Sequence, residues 1–289
     1  MRERTLQLDD LRLHMIEAGA SSGPSMLFVH GWPQCARAFE RVMENLGDHF
    51  RVAAIDLPGI GESVGQPRSA DKRTLAEYVH AAIGAAGLTD VTLIGHDIGG
   101  QIVYAYLRRF AETIERAVIL NVVIPGVEPW SQVVRNPRIW HFGFHAVSAL
   151  PERLVSGHQQ DYFDFFFNAI SADPAAITPE ARRTYAQAYN SEVSLKAGFD
   201  WYRAFGQDEQ DNAATAGSTV STPVLCVRGE AERGKLEDYV EGLRAAGLVN
   251  VTGETIANAG HFSADERPQA LAALLRSFDR THSRLRRVE

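Results

Sequence analysis

Three short stretches carry residue types at spacings that could do chemistry. The first is Gly95-His96-Asp97-Ile98-Gly99-Gly100, which follows the apolar run VTLI and precedes the helical pattern QIVYAYLRR. Small residues on both sides let a strand turn sharply into a helix and hold the central side chain up at the carboxyl edge of a sheet, the form of a nucleophile elbow. The Ile98 amide opens the helix and faces a developing oxyanion. His96, one place earlier in the strand, points away from Asp97 and reads as a packed or hydrogen-bonded neighbour. The plain alternative for Asp97 is a helix N-cap. The second stretch is His30-Gly31-Trp32-Pro33, where Gly31 permits a tight turn and the Trp32 amide supplies a second oxyanion donor. The third is Ala259-Gly260-His261-Phe262, a histidine on a glycine-flanked loop after the last strand pattern.

The aspartate decides which chemistry is sensible. A carboxylate attacking an ester carbonyl would give a reactive anhydride. Attacking a saturated carbon, it displaces a leaving group and becomes an ordinary ester. His261 cannot usefully activate a group that is already ionised, so its expected task is to deprotonate a water that attacks the Asp97 carbonyl. The oxyanion donors Trp32 and Ile98 then stabilise that second step.

Such residues need elements to position them. Residues 4 to 17 alternate around a DD turn and predict an edge hairpin. MLFVH, FRVAAIDL, VTLIG and RAVILN are continuous apolar runs separated by helical patterns, which predicts a mostly parallel α/β sheet covered on both faces. From about 125 to 215 the rhythm breaks into aromatic-rich helical stretches, WHFGFHAV, DYFDFFFNAI and LKAGFDWYRAF. It resumes with TPVLCVRGE, a helix near 234 to 246, VTGETIAN and a final helix near 267 to 279. The expected organisation is a core in two parts, 1–124 and 216–289, with a helical cap over 125–215 where a substrate pocket would sit.

Bulk properties bound the rest. The 289 residues are 45% hydrophobic and 22% charged, an ordinary globular composition. A net charge of −7 offers nothing to a phosphate backbone, so no nucleic-acid partner is expected. Cys35 and Cys226 lie far apart near apolar runs and read as reduced core thiols. Acids occupy the first 20 residues where a signal peptide would be apolar, and no run reaches a membrane span, so a cytoplasmic protein without membrane contact is expected. DLPGIGES lacks the spacing and the lysine of a phosphate loop, and Asp56 within it reads as a turn-capping residue. No metal-ligand spacing is evident, and no cofactor or metal is expected.

HGWPQ (30–34), DLPGIGES (56–63), GHDIGG (95–100) and AGHF (259–262) together resemble the α/β-hydrolase superfamily, in its epoxide hydrolase and haloalkane/haloacid dehalogenase branch, over nearly the whole chain. WHFGFH, YFDFFF and FDWYRAF look like the bacterial epoxide-hydrolase group, in which a histidine or tyrosine pair protonates the leaving epoxide oxygen. The resemblance implies that role for His141 and Tyr202, with Tyr162 and His145 as spares. Relatives often place the acid that supports the histidine just after the RAVIL strand, where this chain has the uncharged Asn121. Other members place it after the next core strand, which implies Glu232, with Glu230 as the local alternative and Asn121 as an orienting amide if neither reaches His261. The dehalogenase pattern fits less well. Ile98, Gln101 and Phe142 stand where those relatives carry halide- or carboxylate-binding residues, and Arg108 and Arg109 lie about three turns down the helix. The resemblance thus implies hydrolysis of a small apolar epoxide to a vicinal diol by a monomer or homodimer. A haloacid or haloalkane dehalogenase is the alternative, and a catalytically dead binding protein the rival outside enzymes.

Overall fold

A computed structural model describes residues 1–20 and 22–285. Its eight strands are β1 (Arg2–Gln7), β2 (Arg12–Gly19), β3 (Ser25–Val29), β4 (Arg51–Ile55), β5 (Val91–His96), β6 (Arg116–Leu120), β7 (Val224–Gly229) and β8 (Val251–Ile256). They form one sheet in the order β1-β2-β4-β3-β5-β6-β7-β8. β1 and β2 are the expected hairpin, and β2 runs antiparallel to β4. From β4 to β8 every pairing is parallel. β3, β5, β6 and β7 are buried at every residue, which is why their sequences are continuous apolar runs rather than alternations.

Alternate residues of these strands serve two cores. Leu27, Val29 and Leu93 face the helices Lys72–Ala86 and Ile98–Phe110, whereas Met26, Phe28 and Ile94 face the helices Glu40–Leu46 and Pro268–Leu285. The helix Lys72–Ala86 starts on Asp71, whose carboxylate accepts the Thr74 N–H, and stops at Gly87 in the left-handed region, φ 64°.

Between β6 and β7 the described chain holds helices and no strand. The three aromatic stretches become the helices Trp140–Ala146, Gln159–Ile170 and Glu192–Arg203. Pro179–Ala188 and Phe205–Thr215, which bury few apolar residues, add two that the aromatic pattern did not mark. This inserted layer is bonded to the core at several points. Tyr189 donates its hydroxyl to the Gln34 carbonyl (3.0 Å), the Gly61 amide donates to Ala188 O (3.0 Å), and the His261 amide donates to Ile170 O (3.0 Å). Cys35 and Cys226 are free and buried. No helix among the described residues is long and apolar enough to cross a membrane.

Candidate active site

The candidate residues lie on loops leaving the carboxyl ends of parallel strands: Trp32 after β3, Asp97 after β5, Asn121 after β6, Glu232 after β7 and His261 after β8. Parallel strands bring these ends to one edge, so residues far apart in sequence converge without help from long loops.

Asp97 occupies φ 51°, ψ −124°, a conformation that a non-glycine residue adopts only when its surroundings enforce it. The enforcement is visible at two glycines. A methyl group on Gly99 would stand 2.1 Å from the Val29 carbonyl oxygen, and one on Gly31 would stand 2.4 Å from Asp97 Cβ. The bare Gly31 lets the next amide come close, and the Trp32 N–H donates to Asp97 Oδ1 at 2.9 Å. The Ile98 amide also bonds to this carboxylate. Burial raises the pKa of Asp97, against the opposing pull of His261 and the two amides. The side chain keeps 18% of its surface accessible.

The other oxygen, Asp97 Oδ2, lies 3.6 Å from His261 Nε2. His261 Nδ1 lies 3.2 Å from Glu232 Oε1. Burial alone would lower the pKa of His261, but the hydrogen bond to Glu232 and the charges of Asp97 and Glu232 outweigh it, and the net direction is upward. Glu232 moves the other way. Burial would raise its pKa, and the bond to His261 together with the charge of Arg228 holds it below the ordinary range.

Glu230 does not share this arrangement: its carboxylate accepts the Asn258 N–H at 2.9 Å. Asn121 bonds to the acid and not to the ring. Its amide donates to Glu232 Oε2 (2.6 Å) and Gly260 O (3.3 Å), and its Oδ1 accepts from Ser263 (2.9 Å). His96 turns away from Asp97 and donates from Nε2 to the His261 carbonyl at 2.8 Å. Its pKa, lowered to about 3 by burial and by His261, keeps it neutral. Asp56 accepts the Glu62 and Ala36 amides, as a turn-capping residue does.

Above this edge stands an aromatic layer. The Trp32 ring is buried among His145, Phe163, Phe166 and Tyr202. His141 and Tyr202 lie with ring centroids 5.9 Å apart. Burial raises the Tyr202 pKa well above its usual value, helped by the charge of Asp97. Burial and His261 lower that of His141 to about 3. Both rings are therefore neutral and inside the electrostatic field of the Asp97–His261 pair. His141 Nδ1 is buried with no hydrogen-bond partner. Tyr162 and His145 are bonded to one another instead, at 2.8 Å.

The sequence reading missed the carboxylates next to His261. Glu266 accepts the amides of Gly260, Phe262, Ala172 and Asp173 and so fixes the histidine loop against the inserted helices. Asp265 accepts from Tyr185 (2.9 Å) and Gln34 (2.6 Å). In sequence both look like ordinary acids in the first turn of a helix, and the only signal was their closeness to His261.

Known proteins share this architecture. The soluble epoxide hydrolase of Corynebacterium sp. (strain C12) is 28% identical over 268 residues, 91% of this chain and 91% of that protein. The fluoroacetate dehalogenase of Burkholderia sp. is 26% identical, covering 95% of this chain and 92% of its own. Among solved structures, wild-type Cfl2 from Burkholderia cenocepacia superimposes with a TM-score of 0.87 at 32% identity, over 96% of this chain and 95% of that one. The family pattern described as alpha/beta hydrolase fold runs through residues 24–268, from β3 to the first residue of the last helix, and by that match the chain belongs to the α/β-hydrolase fold family.

Proposed function

We propose that this hydrolase opens small apolar epoxides to vicinal diols through a covalent ester on Asp97. The observation that carries the reading is the division of labour between the two oxygens of Asp97. Oδ1 is bonded to the Trp32 amide, and Oδ2 faces His261. Oδ2 is the attacking atom: it forms a bond to an epoxide carbon while the carbon–oxygen bond of the ring breaks, and the electron pair goes to the epoxide oxygen. Tyr202 and His141 receive that oxygen. Tyr202 gives it a proton, and neutral His141 supplies a hydrogen bond. His261 then takes a proton from water, whose oxygen adds to the Asp97 carbonyl carbon. The oxyanion develops on Oδ1 between the amides of Trp32 and Ile98. Collapse of this intermediate breaks the bond to the diol oxygen, which takes the proton from His261, and the carboxylic acid left at Asp97 gives up its proton, which restores the Tyr202 hydroxyl and returns Asp97 to a carboxylate.

In this reading Glu232 holds and charges the His261 ring, residues 1–124 and 216–289 form the core, and 125–215 form the cap that carries the two proton donors. Formation of the ester also removes the negative charge of Asp97, one of the influences that raise the pKa of His261. The histidine thus becomes easier to keep neutral at the moment it must act as a base.

The second reading is dehalogenation with the same Asp97, and the likeness to the fluoroacetate dehalogenase favours considering it. The surroundings give a halogenated acid little to hold. Ile98 is apolar, and Gln101 is buried and donates to the Val123 carbonyl. Arg108 bonds to Tyr104 and the Ser218 carbonyl, and Arg109 pairs with Glu77. The test is a panel of epoxides and halogenated acids and alkanes, read as diol and as halide. Diol release from epoxides, abolished in Asp97→Ala, is expected. Halide release from fluoroacetate without diol formation would instead establish the second reading.

A further inference from the structure

Away from the site above, Glu3 on β1, His14 on β2 and Glu62 in the loop after β4 bring metal-ligating atoms within 4.8 Å of one another. His14 is only 5% exposed. Its Nδ1 lies 2.9 Å from Asp56 Oδ2. Asp56 also accepts the Ala36 and Glu62 amides, so its carboxylate is the acceptor and His14 Nδ1 the donor of the bond between them. The other ring nitrogen, Nε2, is buried and has no hydrogen-bond partner. It points at two carboxylate oxygens, Glu3 Oε2 at 4.0 Å and Glu62 Oε2 at 3.9 Å. A histidine whose Nδ1–H is tied to a carboxylate, leaving Nε2 directed at further acids, has the donor arrangement of a metal ligand with its outer-shell partner.

We propose that Glu3, His14 and Glu62 bind a divalent transition-metal ion of the zinc type, with Asp56 orienting the histidine. Three features support this. The donor set of one imidazole and two carboxylates suits Zn²⁺ better than Mg²⁺ or Ca²⁺, which prefer oxygen alone. Zinc bonds of ~2.0–2.2 Å set tetrahedral ligand atoms about 3.4 Å apart, so each carboxylate oxygen must close on His14 Nε2 by roughly half an ångström and the carboxylates on one another by up to about 1.4 Å, and Glu3 and Glu62, at 52% and 62% side-chain exposure, are free to turn. Among the described residues the cation paired with the two glutamates beside His14 is Arg37, and it bonds elsewhere on them: Nη2 to Glu3 Oε1 at 2.5 Å and, more loosely, to Glu62 Oε1 at 3.7 Å. The Oε2 atoms that face His14 are left to the ion, and three carboxylates outweigh one guanidinium. A bound ion would clasp the edge hairpin to the loop of residues 56–63, whose Asp56 also holds the chain just after Trp32 through the Ala36 amide.

The experiment is calorimetric titration of chelator-treated protein with ZnCl₂ at pH 8, paired with thermal melting. One Zn²⁺ per chain and a higher melting temperature are expected, with no comparable effect of MgCl₂. Both glutamates are surface residues, so the Glu3→Gln/Glu62→Gln protein should fold and should bind Zn²⁺ about tenfold or more weakly. Arg37→Gln should bind more tightly, since it removes a competing cation, although it loses ion pairs. The proposal is overturned by wild-type protein that takes up no Zn²⁺, by undiminished affinity in the double glutamine variant, which would put the ion on other histidines, or by weaker binding in Arg37→Gln.

Discussion

At the residue scale, the proposed mechanism turns on one carboxylate that must stay ionised, one histidine that must lose its proton, and one acid that must not compete for it. Glu232 raises the pKa of His261, so the fraction able to act as a base falls as pH drops, and the hydrolytic step, with Asp97 esterified and its charge gone, should show an acidic limb governed by Glu232. Glu232→Gln removes the charge and weakens the hydrogen bond that raise it. The limb in single-turnover ester hydrolysis should therefore move to lower pH, while the plateau falls by ~10²–10⁴, the scale of losing acid–base support or its orientation. A limb that stays in place would mean that Glu232 does not act on the ring. Asn121 makes a sharper case. Its amide donates to Glu232 at 2.6 Å, so Asn121→Asp would set two carboxylates at that distance, and one of them must hold a proton. Turnover at neutral pH should fall, even though the substitution restores an acid at the place where relatives often have one. Faster turnover would show that the acid belongs after β6. The positions of Asp97, bracketed by Gly95 and Gly99, and of His261, preceded by Gly260, were legible because glycines mark turns at strand ends. Glu232 was placed ahead of Glu230 by the resemblance and not by the residues themselves, since two acids on one short turn differ only in where the turn points them.

At the scale of elements, the inserted helices are fastened to the core by a buried ion pair. Lys72 and Asp208, each 2% exposed, meet at 2.7 Å, and the Lys72 backbone amide also donates to Asp208. Burial pushes both toward their neutral forms, lowering the pKa of Lys72 and raising that of Asp208. Asp208→Ala would strand a buried ammonium and should destabilise the protein by roughly 3–5 kcal/mol in urea unfolding, whereas Lys72→Met/Asp208→Leu should recover much of that loss. Equal effects of the single and double changes would show that the charge itself does not matter. This pair joins the helix Lys72–Ala86 to Phe205–Thr215, far apart in sequence, and no local pattern could announce it. The parallel strands were readable because burial on both faces leaves long apolar runs. Pro179–Ala188 and Phe205–Thr215 were not, because each buries too little apolar surface to leave a strong periodicity.

At the scale of the whole molecule, Asp265 ties the Trp32 loop, the histidine loop and the inserted helices together through Gln34 and Tyr185. Burial raises its pKa to about 7, only partly offset by those two donors. An acid raised in the folded state holds more protons there than in the unfolded chain, so its contribution to stability is lost as pH rises from the unfolded carboxyl value toward 7. The shift corresponds to about 4 kcal/mol as an upper bound. Asp265→Asn should remove this dependence. Subtracting its unfolding free energies from those of the wild type, between pH 5 and pH 8, should leave a difference that turns against the wild type as pH rises. A flat difference would mean that Asp265 is ionised throughout.

The central claim is a covalent intermediate on Asp97 that His261 releases, and intact-protein mass spectrometry of His261→Gln after incubation with an epoxide tests it most directly. Ring opening loses no atoms, so a stable adduct of one whole epoxide mass per chain is expected, absent when Asp97→Asn is added. Bound substrate with no adduct would contradict the two-step reaction, and an adduct that persists without Asp97 would move the nucleophile elsewhere.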